Sequence, residues 1–136
     1  MTQVKRSQIP KNHRRASFST GARIFAKGDP ASHAFYIESG LVEISRELDG
    51  RKIVLSVIGD GGIFGEMALI DRQNRAATAT AIADTTCVMI SEQKVQTKMK
   101  DADPIIRSLM TMFVDTIRYL NDRTVEAELG RASQEG

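Results

Sequence analysis

A glutamate and an arginine nine residues apart, Glu66 and Arg75, lie within the stretch Phe64-Gly65-Glu66-Met67-Ala68-Leu69-Ile70-Asp71-Arg72-Gln73-Asn74-Arg75-Ala76-Ala77-Thr78. A carboxylate accepts hydrogen bonds from hydroxyl groups, and a guanidinium offers a planar fork of donors that suits a pair of phosphate oxygens. The residues after Gly65 read as one helical turn, too short for a structural helix. Such a turn exposes its first N–H groups, and with the helix dipole behind them these favour an anion. Ala76 and Ala77 follow the arginine and let the backbone approach a ligand closely. One carboxylate, one guanidinium and a nest of N–H groups together suit a phosphorylated sugar.

Each residue alone has a plainer explanation. A Glu and an Arg across a loop usually form a surface ion pair worth about 0 to 1 kcal/mol, and turns such as Gly59-Asp60-Gly61-Gly62 are often hairpin corners. The ordered set is what points to a site. Other chemistries find less support. His13 and His33 are the only histidines, with no H-x-H pair and no Cys/His spacing, so a catalytic metal centre of the cupin kind is not expected. The single cysteine, Cys87, falls in the apolar run Thr86-Cys87-Val88-Met89-Ile90 and reads as a core thiol.

The elements that must hold these residues emerge from length and pattern. The 136 residues suit one domain able to bury about two-thirds of its unfolded surface. The net charge of +2 is spread along the chain, unlike that of a strongly basic nucleic-acid binder. No apolar run is long enough to cross a membrane and no signal-peptide pattern opens the chain, so a cytoplasmic, soluble protein is expected. Residues 1–15 carry Lys5, Arg6, Lys11, His13, Arg14 and Arg15 and read as a basic arm or short helix. The arm has no aromatic residue to stack on bases, so direct nucleic-acid binding is not expected. Arg14-Arg15-Ala16-Ser17 matches a basophilic kinase pattern, but it is short and Ser17 is expected in the first strand.

From Phe18 short strands alternate with turns. Leu41 to Arg46 should pair with Lys52 to Ile58 across Asp49-Gly50. A strand from Arg75 to Ile82 alternates Ala77, Ala79 and Ala81 with Thr78 and Thr80, leaving room inside. After Ser91 the period changes to about 3.6. One helix starts at Ser91 as N-cap and a second at Asp103-Pro104, with an apolar stripe through Ile105, Leu109, Met112 or Phe113, Val114, Ile117 and Leu120 that should pack on the strands. The expected division is an arm at 1–15, a domain at 16–123 with its barrel at about 16–91 and helices at about 92–123, and a polar, frayed tail at 124–136.

Phe-Gly-Glu-x-Ala-Leu-Ile, four residues, then Arg-Ala-Ala-Thr resembles the phosphate-binding cassette of the cyclic nucleotide-binding domain family, and the likeness extends over about Phe18 to Asn121. Gly21, Gly28 and Gly40 also stand where that family has glycines. The resemblance implies a mainly β fold with C-terminal helices: an eight-stranded antiparallel jelly-roll barrel, a short cassette helix and a C-terminal lid helix. It implies that Glu66 accepts the ribose 2′-hydroxyl, that Arg75 pairs with the cyclic phosphate, and that Gly65, Met67, Ala68, Ala76 and Ala77 complete the cradle. Ile44, Val54 and Leu55 would form an apolar wall for the base and ribose, with Leu120, Asn121 and Arg123 of the lid near the base. Members that favour guanine usually have Thr or Ser directly after the cassette arginine; Ala76 stands there, which favours cAMP over cGMP.

The resemblance implies a non-catalytic, stand-alone bacterial receptor with a cyclic nucleotide as its ligand and no cofactor. Before ligand arrives, Arg75 and the nest should be satisfied by water alone and the last helix should sit loosely. On binding, that helix closes and signals to an unidentified protein effector, the receptor being a monomer or weak homodimer. No turnover of the cyclic phosphate is expected, because the cassette offers neither a metal-activated water nor a free base. Two alternatives stay open: a relic module that keeps the fold without binding, and a regulatory fragment of a larger channel, kinase or transcription regulator.

Overall fold

The structure, a computed structural model, describes residues 3–9 and 13–135, with side chains up to 131; Met1, Thr2, Pro10, Lys11, Asn12 and Gly136, parts of the expected arm and tail, lie outside the described residues. Eight strands run in order: β1 (Arg15–Phe18), β2 (Arg23–Phe25), β3 (His33–Ser39), β4 (Leu41–Leu48), β5 (Arg51–Gly59), β6 (Ile63–Phe64), β7 (Thr78–Ala81) and β8 (Thr85–Ser91). Three helices join them: α1 (Met67–Asp71) between β6 and β7, then α2 (Glu92–Asp101) and α3 (Pro104–Glu135). All strand pairs are antiparallel and form two four-stranded sheets, β1-β8-β3-β6 and β2-β7-β4-β5. The result is a jelly-roll-like sandwich whose sheets do not close into a barrel. Strands β2 and β6, of three and two residues, are too short to extend a ladder around the seam.

The core lies between the sheets. Phe35, Ile37, Val42, Phe64, Ala79 and Cys87 are buried there, with Phe18, Phe25 and Ile44 packed against them. Phe35 stacks on Phe64 at 5.0 Å between ring centroids. Burial in this apolar layer pushes the Cys87 thiol up to about 11, so it stays protonated and inert at neutral pH.

The turns behave as their residues dictate. Asp49 and Gly50 both take positive φ, +53° and +76°, as a two-residue hairpin turn of this hand requires. Gly40 turns the chain from β3 in one sheet to β4 in the other at φ +128°, and a Cβ there would lie 2.6 Å from the Thr85 Cα. The alternation predicted for β7 holds: Ala79 and Ala81 are fully buried while Thr78 and Thr80 are half-buried. The strand starts at Thr78 and not at Arg75, because the Arg75 backbone is taken by the turn between β2 and β3: its N–H donates to Asp29 O and its carbonyl accepts from Gly28 N–H.

The arm is seated on the sandwich. A 3₁₀ turn, Arg6–Gln8, leads to Ile9, which is buried against Tyr36 and Val88 on the outer face of the first sheet. Arg6 and Arg15 both pair with Glu38, and Val4 N–H donates to the Gly61 carbonyl.

Both helix starts follow the predicted caps. Ser91 Oγ accepts from Lys94 N–H, and Asp103 Oδ1 accepts from Ile105 N–H ahead of Pro104. The expected frayed tail at 124–136 is corrected, since α3 continues to Glu135. Rising polarity is no stop signal when the residues are helix formers. Val125 is buried, Glu128 pairs with Arg131 one turn on, and Gly130 alone costs about 1 kcal/mol. The apolar stripe is a second correction. Val114 is buried, but Ile105, Met112, Phe113 and Leu120 are each more than half exposed, because the helix meets the sandwich mainly through α1 and β5.

Candidate functional site

Gly65, at φ +79°, turns the chain out of β6, and Glu66 follows as the cap of the single-turn helix α1. The Glu66 carbonyl accepts from the N–H groups of Leu69 and Ile70. Leu69 is fully buried and anchors the turn. The far end of α1 is fixed by α2, where Gln96 Nε2 donates to the Leu69 carbonyl and Gln96 Oε1 accepts from Arg72. α1 is therefore held at both ends, and its first N–H groups are those that a helix leaves without intrahelical bonds.

Arg75 lies beneath them and is only 6% exposed. Its Nη1 donates to the Gly65 carbonyl at 2.7 Å, its Nη2 to the His33 carbonyl, and its guanidinium carbon lies 4.0 Å from the Phe25 ring centroid. Nε is buried and has no protein partner. The expectation that water alone satisfies this group is corrected: two carbonyls and an aromatic face hold it. A buried Arg charge needs such partners, and the chain at Gly65, His33 and Phe25 supplies them. Burial lowers the Arg75 pKa while Asp29 and Glu66 counter that effect, so the group keeps its charge.

Burial pushes the Glu66 carboxyl above the ordinary carboxylate range, with its own backbone N–H and Arg75 opposing. A carboxyl raised in the folded state contributes stability below its unfolded pKa and loses it as pH rises through the folded value. Glu66 therefore weakens the unliganded fold as pH rises through its raised folded value. Glu66→Gln is expected to raise the thermal midpoint at pH 7 and to flatten its decline from acid to neutral pH; equal midpoints at pH 7, read by circular dichroism, would contradict this.

These groups open on one cavity of about 230 Å³. The structure brings Gly65, Glu66, Met67, Ala68, Arg75, Ala76 and Ala77 to its wall together with Ile44, Leu55 and Asn121. Val54, Leu120 and Arg123 do not line it, and this corrects the expected wall. Val54 and Leu55 are adjacent on β5 and so point to opposite faces; Val54 is outside and 47% exposed. On α3 the inward face is that of Ile117, Arg118 and Asn121, which turns exposed Leu120 and Arg123 away.

Sequence reasoning misses Phe25, Ser56, Ile58, Ile63, Phe64, Ile117 and Arg118 as wall residues. Ile117 stands in the predicted stripe, which is a usable signal. Phe25 and Ser56 carry none, as they reach the cavity only through pairing of distant strands. The loosely seated last helix is also corrected: Arg118 pairs with Asp71 of α1, and Asp122 with Arg46 of β4.

The model of one protein family, described as Cyclic nucleotide-binding domain, matches residues 15–102. The chain is 31% identical over 116 residues to the cyclic AMP receptor protein of Thermus thermophilus, covering 85% of this chain and 50% of that protein. It is 28% identical over 110 residues to the CRP-like cAMP-activated global transcriptional regulator of Mycobacterium tuberculosis, covering 80% of this chain and 49% of that one. The chain thus spans about half the length of these curated relatives. Among solved structures, the cAMP-bound form of the EAL enzyme Bd1971 matches with a TM-score of 0.79 and 32% identity, over 89% of this chain and 32% of that one.

Proposed function

Because the chain belongs to the cyclic nucleotide-binding domain family, we propose that it is a non-catalytic receptor for cAMP, which it prefers to cGMP. One observation carries the reading: a buried arginine, fixed by two carbonyls and with an Nε that has no protein partner, lines the same cavity as Glu66. A cation held in that way is matched by an anion that brings its own acceptors. In this reading the cyclic phosphate engages Arg75 and the first N–H groups of α1, and Glu66 accepts the ribose 2′-hydroxyl. Ala76 offers no hydroxyl to a guanine. Two similar proteins are named for their response to cAMP, which supports the same choice.

Ile44 and Leu55 face the purine from the strands and Asn121 from α3. Binding shifts α3 toward its closed position by the difference in ligand affinity between open and closed states, typically about 1 to 3 kcal/mol. The signal passes to a protein effector or a second copy of the chain, and the exposed row Met112, Phe113 and Leu120 on α3 offers a surface for either. Among the described residues no helix is long and apolar enough to cross a membrane.

Calorimetric titration of purified, nucleotide-free protein with cAMP and with cGMP tests the reading. Binding of both is expected, cAMP the tighter. A folded protein that gives no heat with either would instead be a relic of the fold.

A further inference from the structure

Two ion pairs run from α3 to the parts that build the site. Arg118 reaches α1 and engages both oxygens of Asp71, Nη2 to Oδ1 at 2.9 Å and Nε to Oδ2. The pair is sheltered, with side chains 19% and 8% exposed. Arg46 of β4 donates its Nε to the Ala76 carbonyl at 2.8 Å and its Nη1 to Asp122. One nearly buried guanidinium thus ties the backbone directly after Arg75 to the helix over the cavity.

All these partners are protein groups, so neither pair needs a ligand atom to be satisfied. Among the described residues, Val114 and Val125 are its only buried apolar side chains. A helix with so small an apolar anchor owes its position to specific polar contacts, because an isolated helix is marginal in water.

We propose that Arg118–Asp71 and Arg46–Asp122 form a ligand-independent latch that holds α3 over the cavity and gates nucleotide entry and exit. The inference rests on the receptor reading and names the residues that set its kinetics. Arg46, Asp71 and Asp122 do not line the cavity; they are positioning residues that act through α3 and the cassette. The sheltered Asp71 pair carries more of the hold than the Asp122 pair, whose carboxylate is 59% exposed and screened by solvent.

The test uses Asp71→Asn and Asp122→Asn. Asn at 71 keeps an oxygen for the Gln73 N–H that Asp71 now accepts. Amide hydrogen exchange in nucleotide-free protein is read over residues 114–125, with β3 and β8 as internal controls. Exchange in α3 is expected to rise about tenfold in Asp71→Asn and about threefold in Asp122→Asn, with the controls unchanged. Stopped-flow with a fluorescent cAMP analogue should then show association and dissociation both faster in Asp71→Asn, because an opened latch speeds traffic in both directions. Unchanged α3 exchange in both variants would overturn the latch, as would faster dissociation with unaltered association. The exchange arm needs no nucleotide, so a wild-type protein that binds none would defeat the receptor reading while leaving the latch still decided.

Discussion

Arg75→Ala is expected to abolish tight cAMP binding, lowering affinity by about thirtyfold to several thousandfold. That range corresponds to the about 2 to 5 kcal/mol lost when one partner of a buried, hydrogen-bonded charge pair is truncated. The geometry argues for the upper half of it. Arg75 is almost fully enclosed, and its orientation is set by the Gly65 and His33 carbonyls before any phosphate arrives. Preorganised donors in a sheltered site lose little to reorganisation when they meet their ligand. The same substitution leaves two carbonyls without their donor and empties the space over Phe25, so the apo protein should also lose about 1 to 3 kcal/mol of stability.

Arg75→Lys separates charge from shape. An ammonium keeps the charge but cannot reach both carbonyls in one plane and still present a further N–H. Its affinity should fall nearly as far as that of the alanine variant. Titration calorimetry on both, with denaturant melts to establish folding, provides the check. A lysine variant that binds like wild type would mean that charge alone suffices and that the clamp is irrelevant to the ligand. An alanine variant that binds like wild type would remove Arg75 from the site.

The Glu66–Arg75 side of the cavity is legible in the sequence because it is nearly contiguous. Gly65 to Ala77 are placed by one turn and one short helix, so spacing along the chain translates directly into spacing in space. The side formed by β5 and α3 depends on phase. Val54 and Leu55 differ by one residue, and that step decides which of them enters the cavity. On α3 the register that selects Ile117, Arg118 and Asn121 is fixed by Asp71 and Arg46, which lie 47 and 76 residues from their partners. No local pattern encodes such pairings. The continuation of α3 past Arg123 is hidden for a different reason: the sequence offers no stop, and rising polarity imitates one. The seating of Ile9 on Tyr36 is equally obscure, as one isoleucine between Gln8 and Pro10 has no period to reveal its face.

Gly65→Ala is expected to damage both stability and binding although it adds one methyl group that carries no charge of its own. At φ +79° an L-residue is strained by about 1 to 2 kcal/mol. Space adds a second penalty: the new Cβ would lie 2.7 Å from Arg75 Nη1 and 3.2 Å from Phe25 Cε2. Nη1 cannot retreat without giving up the Gly65 carbonyl, and the aromatic ring closes the other direction. The guanidinium must therefore tilt, losing its bond to the Gly65 carbonyl. A stability loss of about 2 to 4 kcal/mol is expected, with cAMP affinity down by about a hundredfold. Gly21→Ala isolates the strain term, since Gly21 has a similar φ of +89° and nothing within 4 Å of the added carbon. That variant should be destabilised by about 1 to 2 kcal/mol and should bind cAMP normally. If the two alanine variants matched in both melting and titration, backbone strain alone would account for Gly65, and the close approach of its carbonyl to Arg75 would have no part in building the site.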